Sequence, residues 1–357
     1  MLKRVASLLP FVLLLAAEAS ARPLDIYFID VEGGQATLIV TGEQSLLIDA
    51  GYGGRGARDA ERILTAARDA HINRIDYLLV THFHNDHVGG VPDLVERIPI
   101  GTFVDYGNPL GTPLGPDRMT VRAFQAYEPV RAAGHHLQPA AGDHLPVKGM
   151  DVVVVTAGGT VLADPLPGAG TPNDACATVE HQPDDGTENY RSIGVKIRFG
   201  EFTFLDLGDV SGDTLASLVC PRDLLGGVSA FLIPHHGNYD SNIPAVYAAV
   251  TPRVAIMNNG PVKGGDPSTF RTLNRLSAMD LWQLHASRIS DAANTSDERV
   301  ANVDDDGSDG YWIKLSAETD GSFTVMNQRT GFHQTYARPD SSSATATGDK
   351  SSSATAK

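Results

Sequence analysis

The sequence predicts a four-layer αββα sandwich, an α/β fold of the layered α+β kind, on three observations. An apolar strand, Tyr77–Val80, runs directly into a turn crowded with histidine and aspartate. Two later strands end in the same manner, Phe202–Leu205 before Gly208–Asp209 and Ala230–Ile233 before Pro234–His235–His236–Gly237. Helical patterns separate the strands in both halves of the chain, so two strand-rich halves with helices outside are expected.

In chain order, strands are expected at Leu24–Phe28, Ala36–Val40 and Ser45–Ile48. A helix follows near Ala57–Ala70, with Asp and Glu early and His71 at its end, as the helix dipole favours. The strand Tyr77–Val80 delivers the polar turn, and a helix begins near Pro92. Further strands are expected near Asp151–Thr156, Ser192–Arg198 and Phe202–Leu205, then a helix at Asp213–Val219 and a strand at Ala230–Ile233. Leu281–His285 reads as another apolar strand, and the last strands fall near Tyr336.

The chemistry concentrates in Thr81–His82–Phe83–His84–Asn85–Asp86–His87. Alternate residues of an extended segment share a face, so His82 and His84 can aim at one point. Asp86 and His87 turn away together toward a second point. Imidazole and carboxylate are the ligands of borderline cations such as zinc. Two divalent metal ions, zinc first with manganese or iron as alternatives, are the expected cofactors, and no Gly-x-Ser-x-Gly elbow offers another nucleophile.

This H-x-H-x-D-H motif resembles that of the metallo-β-lactamase superfamily, whose members hold one or two metals at the edge of an αββα sandwich. The resemblance implies further assignments. Asp49, ending the strand Ser45–Ile48 in Asp-x-Gly, takes the position of a carboxylate behind the ligand histidines. Asp209 takes that of the bridging aspartate, with Asp206 inside the strand a weaker choice. His236 takes that of the last histidine, with His235 its alternative. A histidine that many members carry in a Pro-Gly-His turn is missing, since the equivalent stretch 186–195 holds none. Glu188, Asn189 or water is expected to replace it.

Within the superfamily, the opening Leu24–Val40, the asparagine-containing turn and Pro-His-His-Gly are similar to the hydrolase domain of bacterial competence (DNA-uptake) channel proteins. Related secreted domains include a phosphorylcholine esterase. The implied activity is phosphodiester or phosphoester hydrolysis by a bridging hydroxide on a dinuclear site, with Asp86 holding one metal and orienting the hydroxide. A lactonase or β-lactamase-type carbonyl hydrolase is the alternative, and a non-catalytic metal-binding module the third reading. Asn238, Tyr239 and His285 are candidate substrate contacts, the last at the cleft rim, and the Gly-, Pro- and Asp-rich loop 157–187 a candidate wall.

The ends read differently. Lys3–Arg4, the apolar run to Ala17 and Ala19–Ser20–Ala21 form a secretory leader over residues 1–21, implying export to the periplasm or beyond. Residues 338–357 repeat Ser-Ser-Ser-Ala-Thr-Ala, a tail expected to be disordered. Residues 22–337 are expected to form one hydrolase domain, without a membrane span. A formal net charge of −15 disfavours long nucleic acid and leaves a small-molecule or cell-envelope substrate, the oligomeric state being undetermined. Export permits Cys176 and Cys220 to pair, though both read equally well as buried thiols. His135 and His136 are expected on a surface loop, and Asp304–Asp306 in a solvated turn.

Overall fold

A computed structural model describes residues 22–109, 117–276, 278–303 and 310–338. The leader, the repeated tail beyond Arg338 and Asp304–Asp306 lie outside the described residues.

The first sheet is built from β1 (Leu24–Phe28), β2 (Thr37–Val40), β3 (Ser45–Ile48), β4 (Ile75–Leu79), β5 (Ile100–Val104) and β6 (His135–Leu137). The second holds β7 (His144–Leu145), β8 (Asp151–Ala157), β9 (Thr160–Val161), β10 (Gly194–Phe199), β11 (Phe202–Asp206), β12 (Ala230–Leu232), β13 (Val254–Met257), β14 (Asp280–His285) and β15 (Val300–Asn302). The chain then returns to the first sheet through β16 (Ile313–Ala317), β17 (Phe323–Asn327) and β18 (His333–Tyr336), giving the order β18-β17-β16-β1-β2-β3-β4-β5-β6. The second sheet runs β15-β14-β13-β12-β11-β10-β8-β7, with β9 on β8. In each, one run of neighbours is parallel: β3 to β6, and β11 to β15.

Helices cover the outer faces. On the first sheet lie α1 (Arg58–Asp69), α2 (Asn85–Val88), α3 (Val91–Val95) and α4 (Arg118–Ala132); on the second, α5 (Gly212–Ser217), α6 (Pro244–Val250) and α7 (Pro267–Leu273). The strands alternate between two cores, as a period of two demands. Ala230 and Leu232 of β12 and Val254 and Ile256 of β13 face the cluster shared with the first sheet. Phe231, Ala255 and Met257 face the cluster under α5–α7. Phe28 of β1 meets Phe204 of β11 edge-on at 5.6 Å, closing the sandwich. This is the expected αββα layering.

One expectation is corrected and two are made specific. His135 and His136 form the edge strand β6, and His136 Nε2 lies 3.0 Å from buried Asp105. The helix expected near Pro92 is a single short one, α3; the long helix of this region is α4, whose Asp117 side chain caps it by accepting from the Met119 and Thr120 amides. Cys176 and Cys220 are disulfide-bonded, closing 44 residues of chain and tying the loop before β10 to the end of α5.

Candidate metal centre

The candidate ligands gather where parallel strands of both sheets end, the usual place for a ligand crevice in such folds. From the first sheet, β4 is followed by Thr81, His82 and the extended His84, and α2 then turns Asp86 and His87 inward. The turn before β2 supports this loop: Gln35 N–H donates to Asp86 O at 3.1 Å. A Cβ on Gly34 would stand 2.4 Å from that same oxygen, so only glycine permits the approach. From the second sheet, Asp209 follows β11 and His235–His236 follow β12.

Asp209 Oδ2 is the hub. It lies 3.1 Å from His87 Nε2, 3.3 Å from His236 Nε2, and 3.8 Å from both His82 Nε2 and His235 Nε2. Asp86 Oδ2 is 3.4 Å from His87 Nε2 and from His236 Nε2. One ligand atom from each of Asp86, His87, Asp209 and His236 falls within 4.8 Å of the others. Among the described residues, both ring nitrogens of buried His236, and Asp209 Oδ1, have no hydrogen-bond partner. Orphaned buried polar atoms are costly unless a ligand satisfies them, and this donor set suits a divalent cation. His82 Nε2 and His84 Nδ1 converge at 3.0 Å, sharing a face as alternate residues can, with His82 Nε2 3.8 Å from Asp209 Oδ2.

Support for the rings comes from behind. Asp49 Oδ2 is 2.7 Å from His87 Nδ1 and accepts from Thr81 Oγ1 at 2.7 Å, while Asp49 Oδ1 accepts from the Thr81 amide at 2.8 Å. This places a proton on His87 Nδ1 and turns Nε2 toward the cluster. Ser192 Oγ lies 3.2 Å from His82 Nδ1 and accepts from the Asp209 amide at 3.3 Å. His235 Nδ1 meets Asp240 Oδ1 at 2.8 Å. Three site residues, Asp49, His235 and His236, have positive φ angles of 60°, 50° and 56°. Such left-handed backbone costs a non-glycine residue about 1–2 kcal/mol and concentrates where function requires it.

The electrostatics follow from this crowding. Burial would raise the Asp86 carboxyl, but His87 and Lys263 hold it well below its usual range. Burial likewise opposes the ionised Asp209, and His236, His87 and His235 overcome it. His87 is pushed well up, burial being outweighed by Asp209, Asp86 and Asp49. His82 is pushed well down by burial and by its neighbours His87 and His84.

Other candidates fall elsewhere. Glu188 is buried, but it accepts from Tyr106 Oη and pairs with Arg191 at 3.6 Å, so the structure commits it away from the cluster. Asn189 borders the cluster: its Nδ2 lies 3.5 Å from His235 Nε2 and donates to Asp185 at 2.8 Å. His285 is buried at 1 % exposure beside Ala286 O, rather than at the rim. Tyr239 is 65 % exposed just beyond the histidine pair, and the Asn238 carbonyl accepts from Ser241 Oγ at 3.0 Å. Asp206 is held below the site by Gln35 Nε2 at 2.9 Å and the Gly208 amide at 2.9 Å. Lys263 and Tyr52 join the site without any motif to announce them. Their only sequence signal is a glycine-rich setting, Gly260–Gly265 and Gly51–Gly54.

Residues 29–182 match the Metallo-beta-lactamase superfamily. The matched span includes Asp49 and His82–His87 and stops short of Asp209. The chain is 40 % identical over 70 residues to "Lactamase-like protein aptB" of Emericella nidulans, covering 19 % of this chain and 21 % of that one. It is 38 % identical over 69 residues to "Atrochrysone carboxyl ACP thioesterase" of Aspergillus terreus, again 19 % and 21 %. The chain thus spans about a fifth of the length of the curated relatives it matches. Among solved structures, the metallo-beta-lactamase fold protein YhfI of Bacillus subtilis aligns with a TM-score of 0.46 at 11 % identity, over 73 % of this chain and 96 % of that one.

Proposed function

We propose that the protein is an exported metal-dependent hydrolase of phosphodiesters or phosphoesters. The observation that carries the reading is one carboxylate oxygen, Asp209 Oδ2, faced by four imidazoles, with buried His236 left without a hydrogen-bond partner among the described residues. Asp86, His87, Asp209 and His236 would hold one divalent cation; His82 and His84, with Asp209 shared, would hold a second. Zinc suits the histidines best, with manganese or iron as alternatives. When bound, such ions lower the pKa of water and neutralise charge on the reacting group.

The chain's own residues do the rest. Asp49 and Thr81 fix the His87 tautomer, and Ser192 steadies His82. Asp86 orients the attacking water. Asn189 and Tyr239 stand beside His235 and beyond it, where substrate would enter. Kinship to competence-channel hydrolase domains, the leader over residues 1–21 with its periplasmic or extracellular destination, and a single hydrolase domain over 22–337 belong to the same proposal. The acidic charge favours a small or cell-envelope substrate over long nucleic acid.

A second reading, acyl hydrolysis of lactones, β-lactams or thioesters, draws support from the similarity to the Aspergillus terreus thioesterase. One experiment separates them: metal content of the purified protein, with turnover of bis-p-nitrophenyl phosphate measured against nitrocefin, a lactone and a thioester, in zinc and in manganese. About two metals per chain with preferred phosphodiester turnover is expected. Preference for an acyl substrate would replace the reading, and a metal-free protein without turnover would end it.

A further inference from the structure

Lys263 stands in the cluster and has no part in the reading above. It lies on the loop Gly260–Gly265 after β13, and its ammonium pairs with Asp86 Oδ2. The Tyr52 hydroxyl is 3.4 Å from Nζ, and the Tyr52 ring centroid is 5.6 Å away. The loop backbone is fixed. Gly260 N–H donates to Lys263 O at 2.8 Å, and Gly265 N–H donates to His236 O at 2.9 Å. A Cβ on Gly264 would lie 2.3 Å from that His236 oxygen, so the loop packs directly on the ligand histidine. The Lys263 side chain is nonetheless 35 % exposed, with four rotatable bonds between rigid backbone and charge.

Asp86 Oδ2 is therefore claimed twice, by the ammonium and by any cation that His87 and His236 would share with it. A divalent ion held there would carry more charge and take directed lone pairs, and the Lys263 ammonium would give up Asp86 to it. The backbone cannot retreat, because His236 holds it. The side chain, partly exposed and lying beside the Tyr52 ring, is the part free to move. It presents three N–H donors that need an anionic acceptor. We infer that Lys263 is the anion-reading residue of this site, holding Asp86 until metal takes that carboxylate and then gripping an anionic oxygen of the substrate. The inference rests on the metallohydrolase reading and deepens it. The preferred substrate carries a phosphoryl or carboxylate oxygen next to the scissile bond, rather than being a neutral ester.

The test uses the whole protein, wild type, Lys263→Met and Lys263→Arg, with inorganic phosphate as the probe. Metal affinity is measured by chelator competition, and phosphate binding by calorimetry on the metal-loaded proteins. Lys263→Met is expected to bind phosphate roughly 10-fold more weakly, as loss of one charge-assisted hydrogen bond implies, with Lys263→Arg within about 3-fold of wild type. Metal affinity in Lys263→Met is expected to hold or rise, because a competitor for Asp86 is gone. Unchanged phosphate affinity in Lys263→Met, or weakened metal binding there, overturns the assignment. Wild type that takes up metal but no phosphate overturns it alone, whereas wild type that takes up no metal removes the hydrolase reading beneath it.

Discussion

The two sheets feed the centre in different ways. After β4 the first sheet delivers His82, His84, Asp86 and His87 within six residues, by an extended segment followed by one turn of helix. The second sheet delivers Asp209, His235–His236 and Lys263 from the ends of three successive strands, β11, β12 and β13. Local geometry accounts for the first group. The second group meets only because β11, β12 and β13 lie side by side in parallel register. The support also differs. Behind the first group stand side chains, Asp49 and Thr81, in a closed hydrogen-bond set. The second group relies more on its backbone: left-handed His235 and His236, and a glycine loop pressed against them.

If Asp209 joins the two groups, its removal should have the largest effect. Asp209→Asn keeps the volume and is expected to lower turnover by roughly 10²–10⁴-fold, with metal content falling in parallel. His84→Ala touches one side alone and is expected to cost less. Kinetics with elemental analysis on both variants decides the point, and a larger loss in His84→Ala would break the comparison.

The side-chain support behind the first group is tested by Asp49→Asn. It leaves both ligand sets intact while weakening control of the His87 tautomer. Metal affinity is expected to fall about 10–100-fold, the usual cost of an outer partner. An unchanged affinity by chelator competition would mean that the His82–His87 loop holds itself in place.

The smallest effect concerns stability beneath the first sheet. Asp30, just after β1, is buried against Arg62, at 3.2 Å, and its carboxyl is pushed up from 3.8 to about 6, burial outweighing the guanidinium. The folded protein then keeps a proton that the unfolded chain releases near pH 4. The stability this proton contributes is present below about pH 4 and lost as pH rises through about 6. Asp30→Asn is expected to remove that slope, which urea unfolding at pH 4, 5, 6 and 7 would reveal. A variant whose stability follows pH as steeply as wild type would assign the slope to other groups.

The legibility of the site follows the same division. The His82–His87 cluster is readable because its members are neighbours in sequence and follow a strand whose periodicity fixes their faces. Asp209 and His236 are readable through resemblance, each ending an apolar strand. Glu188 misleads, because a carboxylate in a turn near the site carries no mark of its partner, and only packing reveals Tyr106 and Arg191. His285 misleads for a related reason: the strand that leads to it is real, but its side chain is buried. The helix α4 and the edge strand β6 escape notice, since a modest apolar stripe and a histidine pair do not announce a partner sheet.

By itself the sequence determined the αββα layering, the strand ends that carry the ligands, and the histidine–aspartate chemistry, because hydrophobic period and ligand spacing are local properties of a chain. Only the tertiary structure decided that Asp209 faces both histidine groups, that His235 and His236 both turn toward it, that Cys176 reaches Cys220, and that Lys263 arrives beside Asp86. Those contacts join residues far apart in sequence, and their distances are set by how strands pair and sheets pack.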